Sequence, residues 1–218
     1  MKLNEYFDKI YCINLDRRTD RWEECEKIFS KLNLVVERFS AEDGKLLTLP
    51  HGDAYNAEIA GAISHTNVIK DAKEKGYKNI LILEDDVEFH PDFEILLDKM
   101  FSQVPNDWEM LFFGGNHVQG FTNISENIQR LFGSYAIHAY GIKNDVYDII
   151  IKFMSDKIEM VFNNKETKYP PSVAADYFMA FLHRTLTVYG FKNPHLAWQR
   201  TGFSDIQGGI VNYDFLKK

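Results

Sequence analysis

The run Asn79-Ile80-Leu81-Ile82-Leu83 is apolar almost throughout and meets Glu84-Asp85-Asp86 with no spacer. A continuous apolar run of this length fits a central strand covered on both faces, as in an α/β sheet. In such sheets ligands bind beyond the C-terminal strand edge, where loops diverge around a crevice. Three adjacent carboxylates repel one another there unless a cation or hydrogen-bond donors offset the charge. A hard divalent ion with oxygen ligands is the natural offset. Mg2+ and Mn2+ held by one or two carboxylates keep coordination positions open for a diphosphate. A solvated acidic turn carries the same residue types, but the apolar strand before it and Val87-Glu88-Phe89-His90-Pro91-Asp92-Phe93 after it favour a site.

Alternating strand and helix signals surround this strand. Ile10 to Leu15 is β-prone, and a charged helical segment follows through Leu32. Val35 to Phe39 predicts a second strand, closed by the Asp43-Gly44 turn. Ile59, Ile63, Ile69 and Ala72 recur at helical spacing within Ala57 to Lys75, and Gly76 ends that helix. Pro91 predicts a helix opening that runs through Met100, and Glu109 to Phe113 a strand stopped by Gly114-Gly115. Beyond it, Ser134 to Tyr140 reads as extended, Asp145 to Met154 as helical and Asn163 to Pro171 as a polar loop. The alternation predicts an α/β fold.

The chain has 218 residues, a length suited to one domain. Net charge is −7, from 32 acidic and 25 basic residues, which argues against nucleic acid as a partner. Cys12 and Cys25 lack a metal-type spacing; a disulfide between them stays open, with free thiols the simpler reading. No run of about 18 apolar residues marks a membrane span, and no secretion signal opens the chain. The expectation is a cytoplasmic protein, soluble or peripheral to a membrane.

Ile13 to Arg21, Ser40-Ala41-Glu42-Asp43-Gly44, Gly61-Ala62-Ile63-Ser64-His65 and Ile82 to Val87 form four ordered segments. Together they resemble glycosyltransferase family 25, which includes bacterial lipooligosaccharide galactosyltransferases and procollagen galactosyltransferases. Looser matches follow at Ala139-Tyr140-Gly141-Ile142, Ala175 to Met179 and Pro194 to Ile206. The resemblance implies a single GT-A-type domain with a mixed, mostly parallel central sheet flanked by helices, its nucleotide-binding half about 1–115 and its acceptor-side half about 116–218. It also implies a UDP-sugar donor carrying galactose or glucose, Mn2+ or Mg2+, and inversion at the anomeric carbon. The acceptor would be a saccharide, as in lipopolysaccharide biosynthesis, or a hydroxylysine-type side chain.

By the same resemblance, Asp86 would contact the metal, with Glu84 and Asp85 at the donor ribose or at metal-bound waters. Asn14 and Leu15 would line the nucleotide. Arg18 or Arg21 would reach the base or diphosphate, since guanidinium forks suit phosphate oxygens, although both also fit a solvated helix surface. Ala41 and Asp43 would approach the base, Asp43 accepting from uracil N3, although the pair also reads as a plain turn. Ser64 and His65 precede the acidic strand on one helix, where His65 is either a donor contact or a packed histidine. Inversion needs one base opposite the leaving group, and Asp176 is the candidate, in a setting that also suits a first-turn helix aspartate. A further metal contact would come from His195 or Gln199.

Two other classes fit part of the pattern. A catalytically inactive GT-A-like domain binding a glycan or partner has no need of the costly cluster. A metal-dependent phosphohydrolase or nucleotidyltransferase explains the acids but not the Asn14 to Arg18 or Ser64-His65 segments.

Overall fold

The computed structural model of the chain describes residues 2–49, 52–163 and 172–217. A short helix α1 (Leu3–Tyr6) leads into β1 (Lys9–Asn14), α2 (Thr19–Lys31) and β2 (Glu37–Ser40). The long helix α3 (Asp53–Glu74) then feeds β3 (Asn79–Glu84), and Asp85-Asp86 forms the turn into β4 (Val87–Phe89). Next come α4 (Phe93–Phe101), β5 (Met110–Phe112), β6 (Phe121–Asn123), β7 (Ile128–Leu131) and β8 (Ala139–Lys143). Two helices, α5 (Tyr147–Asn163) and α6 (Ala175–Leu182), precede β9 (Val188–Phe191) and β10 (Ala197–Gln199). The hairpin of β11 (Gly202–Ser204) and β12 (Gly209–Val211) comes last among the strands.

Eight strands form one sheet in the order β2-β1-β3-β8-β5-β9-β7-β6. β2, β1 and β3 are mutually parallel, and β8 runs against both β3 and β5. β9 is parallel to β5, while β7 opposes both β9 and β6. Only β7 and β8 therefore oppose the rest, giving the mixed, mostly parallel sheet flanked by helices that the sequence implies. Strands from both halves of the chain interleave in it.

Period-two alternation divides the core. Ile80 and Ile82 of β3 pack with Tyr11, Met110 and Tyr140 beneath α3, α5 and α6. Leu81 and Leu83 pack with Cys12, Cys25, Phe29 and Leu111 on the opposite face. All four β3 side chains are fully buried, each worth roughly 1.5–3 kcal/mol. Both cysteines are free and buried.

Some boundaries move. Pro91 lies in a turn and its helix begins at Phe93; the extended reading of Ser134 to Tyr140 gives way to a strand that starts only at Ala139. Ala136 there adopts φ 62°, a conformation that non-glycine residues rarely take. α5 extends to Asn163, and the rest of the expected polar loop, 164–171, lies outside the described residues. No helix among the described residues is long and apolar enough to cross a membrane.

Gly114 fixes the seam between β5 and the C-terminal segment. Leu196 and Ala197 both donate backbone N–H groups to the Phe113 carbonyl, and a Cβ at Gly114 would stand 1.9 Å from the Ala197 carbonyl oxygen. Gly114→Ala is therefore expected to cost roughly 2–4 kcal/mol, lowering the urea midpoint; an unchanged midpoint contradicts the packing.

Beside this seam Ser134 joins the buried His183 to the half-buried His117. Its N–H donates to His183 Nδ1 at 3.1 Å, and its hydroxyl lies 2.8 Å from His117 Nδ1. Burial pushes His117 down to about 3, and His138 and His183 each to about 4. Below pH 6.5 the unfolded chain takes up protons that these folded rings refuse, so stability is lost as pH falls from there. Asp86, raised by burial to about 7, and Asp176, also raised, act in the opposite sense and offset part of the loss. The expected net loss from pH 7 to pH 5 is roughly 2–4 kcal/mol by urea denaturation; equal stability at both values contradicts it.

Candidate active site

Parallel pairing of β1 with β2 and β3 brings their C-terminal ends to one edge, with Ile13 opposite Glu84 and Asn14 opposite Ser40. A cleft of about 620 Å³ opens there. Its walls come from the loops after β1, β2 and β3, one side of α3, the segment around Ala136, the start of α6 and the C-terminal hairpin. Nine Asp or Glu side chains line it, against three Lys or Arg. A phosphate anion entering so acidic a cleft meets more negative than positive side chains.

The three acids of the β3 turn divide into two satisfied and one not. Asp85 accepts from Asn14 Nδ2 at 2.6 Å through one oxygen and from Arg21 Nη1 at 2.5 Å through the other. Glu84 Oε1 is 3.1 Å from His65 Nε2, and Glu84 Oε2 accepts from Gln199 Nε2 at 3.4 Å. Burial opposes the Glu84 charge, but the hydrogen bond and field of His65 outweigh it, leaving its pKa below the usual glutamate value. Asp86 receives a distant approach from Arg21, at 3.7 Å, and its buried Oδ1 has no hydrogen-bond partner among the described residues. Burial, then repulsion from Glu84, raises its pKa to about 7. Keeping that charge costs on the order of 4 kcal/mol.

The donor set fits a hard divalent cation. Asp86 supplies a free carboxylate oxygen, with Glu84 and Asp85 alongside to hold coordinated waters. Among the described residues no group of three or more His, Cys, Asp or Glu is arranged to hold a metal ion by itself. One carboxylate completed by substrate oxygens suits Mg2+ or Mn2+ better than a fully protein-ligated site.

Leu15, Arg21, Ala41, Asp43, Ser64, His65 and Asp176 also line the cleft with the three acids. Asn14, expected beside a nucleotide, is instead 1% exposed and lies outside the lining. Its amide holds Asp85, while its carbonyl oxygen accepts from Arg38 Nε at 2.8 Å. Arg18 is outside the lining too, engaged by Asp20 and Asp205. His195 does not line the cleft: its Nδ1 lies 2.9 Å from the Leu216 carbonyl oxygen and its ring packs against His117. Gln199 of the same segment reaches the acids instead, because β10 pairs with β4 and sets it opposite Val87.

Asp176 sits in the first turn of α6. Its Oδ1 accepts from Tyr177 N at 2.7 Å and its Oδ2 from Ala136 N at 3.0 Å, which pins the left-handed Ala136. Burial raises its pKa despite both donors. Asp43 accepts from Lys45 N at 3.0 Å and from Arg17 Nε at 2.7 Å.

Sequence reasoning missed Arg17, Tyr213 and Phe215, all of which line the cleft. Arg17 also pairs with Asp205 at 2.8 Å, and Arg21 Nη2 donates to the Phe203 carbonyl, so the β1–α2 loop grips the terminal hairpin. Arg17 was visible in the same arginine-rich run; Tyr213 and Phe215 carry no periodic signal.

Residues 7–144 match the family model described as "Glycosyltransferase family 25 (LPS biosynthesis protein)". A glycosyltransferase 25 family member of Drosophila melanogaster is 33% identical over 132 residues, covering 51% of this chain and 22% of that protein. Human procollagen galactosyltransferase 2 is 30% identical over 134 residues, covering 52% and 21%. A putative glycosyltransferase R655 of Acanthamoeba polyphaga mimivirus is 33% identical over 146 residues, covering 61% and 45%. The matches thus span about a fifth to under half the length of these relatives. Among solved structures, a glycosyltransferase involved in glycosylating the major capsid of PBCV-1 aligns with TM-score 0.42 and 12% identity, covering 76% of this chain and 70% of that one. Streptococcus pneumoniae GlyE aligns with TM-score 0.41 and 11% identity, covering 85% and 38%. With the family model spanning well over half of its residues, the chain belongs to glycosyltransferase family 25.

Proposed function

We propose that the chain is a cation-dependent, inverting hexosyltransferase of GT-A type that moves galactose or glucose from a UDP-sugar to a hydroxyl acceptor. The observation that carries this reading is the unpartnered Asp86 Oδ1 at the edge of an acidic cleft, beside two carboxylates that protein donors already satisfy. Asp86 would hold Mn2+ or Mg2+, which would supply the positive charge that a departing diphosphate needs. Leu15 and Ala41 would flank the nucleotide, with Arg17 and Arg21 near its anionic groups.

Asp176 would serve as the base. It would take the acceptor hydroxyl proton as oxygen bonds to the anomeric carbon and the bond from that carbon to the diphosphate breaks, which inverts the centre. Its raised pKa moves it toward neutrality, where a base is most effective. The acceptor would be a saccharide or a hydroxylated side chain; the family description mentions LPS biosynthesis and the human relative's name mentions procollagen. Action in the cytoplasm, at a membrane surface where the acceptor is a glycolipid, belongs to the same proposal.

Millimolar UDP with Mn2+ is expected to raise the melting temperature by several degrees, since saturation at about 100 Kd adds roughly 2.7 kcal/mol. No shift with UDP or any UDP-sugar contradicts the donor assignment. Asp86→Asn removes an uncompensated buried charge, so the free variant should melt at or above the wild-type temperature and lose the Mn2+-dependent shift; a retained shift removes Asp86 from the metal. Asp176→Asn should keep the shift and lose sugar transfer by at least 100-fold, with near-normal turnover excluding it as the base.

A further inference from the structure

Ser64 and His65 line the cleft, yet their polar atoms are spent on the protein. Ser64 Oγ donates to the Ala60 carbonyl at 2.8 Å and accepts from Glu42 N at 2.9 Å. His65 Nε2 lies 3.1 Å from Glu84 Oε1, and its Nδ1 lies 2.8 Å from Tyr140 Oη. An ionised carboxylate only accepts, so Nε2 donates to Glu84, and in the neutral ring Nδ1 then accepts the Tyr140 proton. Tyr140 is fully buried, stacks on Phe112 at 5.8 Å and lies outside the cleft lining. Ser64 and His65 are 1% and 3% exposed, which leaves little of either for a ligand.

Consecutive helix residues project about 100° apart, so the pair reaches two different walls from one helix. Ser64 meets the loop after β2, where Gly44 already lies so close that a Cβ would stand 2.7 Å from Ala57 Cα of α3. His65 meets the end of β3. We infer that Ser64 and His65 are positioning residues: Ser64 fixes the loop that carries Asp43 through the Glu42 backbone, and His65, anchored by Tyr140, fixes Glu84. The inference rests on reading the cleft as the donor site. It makes Tyr140 a remote contributor to donor binding and removes His65 from direct contact with the nucleotide.

The test uses UDP with Mn2+ as probe, measured by calorimetry on wild type, His65→Gln, Tyr140→Phe and the double variant, each checked for folding by circular dichroism. Positioning through Glu84 predicts that Tyr140→Phe weakens UDP binding about 3–10-fold and that the double variant is no weaker than His65→Gln alone. Wild-type affinity in Tyr140→Phe, or losses that multiply in the double variant, overturns the inference. If His65→Gln does not fold, Tyr140→Phe alone decides by the same threshold. Wild-type protein that binds no UDP refutes the donor reading instead. Two ligand-free measurements then judge the positioning roles. The Glu42 amide should exchange at least 10-fold faster in Ser64→Ala than in wild type, and the His65 ring should carry its proton on Nε2 in a long-range 1H–15N spectrum. Unchanged exchange or a proton on Nδ1 alone overturns the corresponding arm.

Discussion

Three carboxylates in succession at the end of a fully buried strand are the constraint around which this molecule is arranged. Each calls for compensation within a few ångströms, and two of the three receive it from neighbouring side chains. Asp85 takes a neutral amide and a guanidinium from Asn14 and Arg21; Glu84 takes an imidazole and an amide from His65 and Gln199. Asp86 is left with a buried oxygen that no side chain among the described residues serves. A fold that spends four side chains on the first two acids and none on that oxygen stores electrostatic energy that, under the proposed function, an incoming cation would release.

The compensating groups come from distant parts of the chain, which ties the site to the architecture. Asn14 ends β1, Arg21 lies on α2, His65 sits midway along α3 and Gln199 ends β10. Parallel pairing of β1 with β3 delivers the first, and antiparallel pairing of β10 with β4 delivers the last. Arg200 N donating to the Asp86 carbonyl at 2.7 Å closes this return. The burial of α3 along much of its length has a functional consequence: Ser64 and His65 become internal struts where a surface helix would have offered them to a ligand.

The central strand and its acids were legible because a run buried on both faces leaves an unbroken apolar signature, and because family motifs flank it in order. What stayed hidden depends on tertiary pairing. β4 and β10 have three residues each, too few to carry a pattern, and their register alone places Gln199 and not His195 at the acids. α3 begins four residues before the expected Ala57; its polar first turn includes Asn56, which is buried because its amide bonds Leu47 and Leu49. Asn14 was legible as a site residue but not in its role, since sequence does not say whether an amide faces a ligand or a neighbouring carboxylate. The strained Ala136 depends on an Asp176 hydrogen bond across 40 positions, a separation with no local signal.

The claim that Asp86 completes its coordination with a cation and a diphosphate is tested most directly by a crystal structure of the protein soaked with Mn2+ and UDP, read through manganese anomalous scattering. The account predicts a single strong peak within about 2.3 Å of Asp86 Oδ1, bridged to diphosphate oxygens, with Asp85 still held by Asn14 and Arg21. A nucleotide bound in the cleft with no manganese at Asp86, or manganese seated at His195, would contradict it.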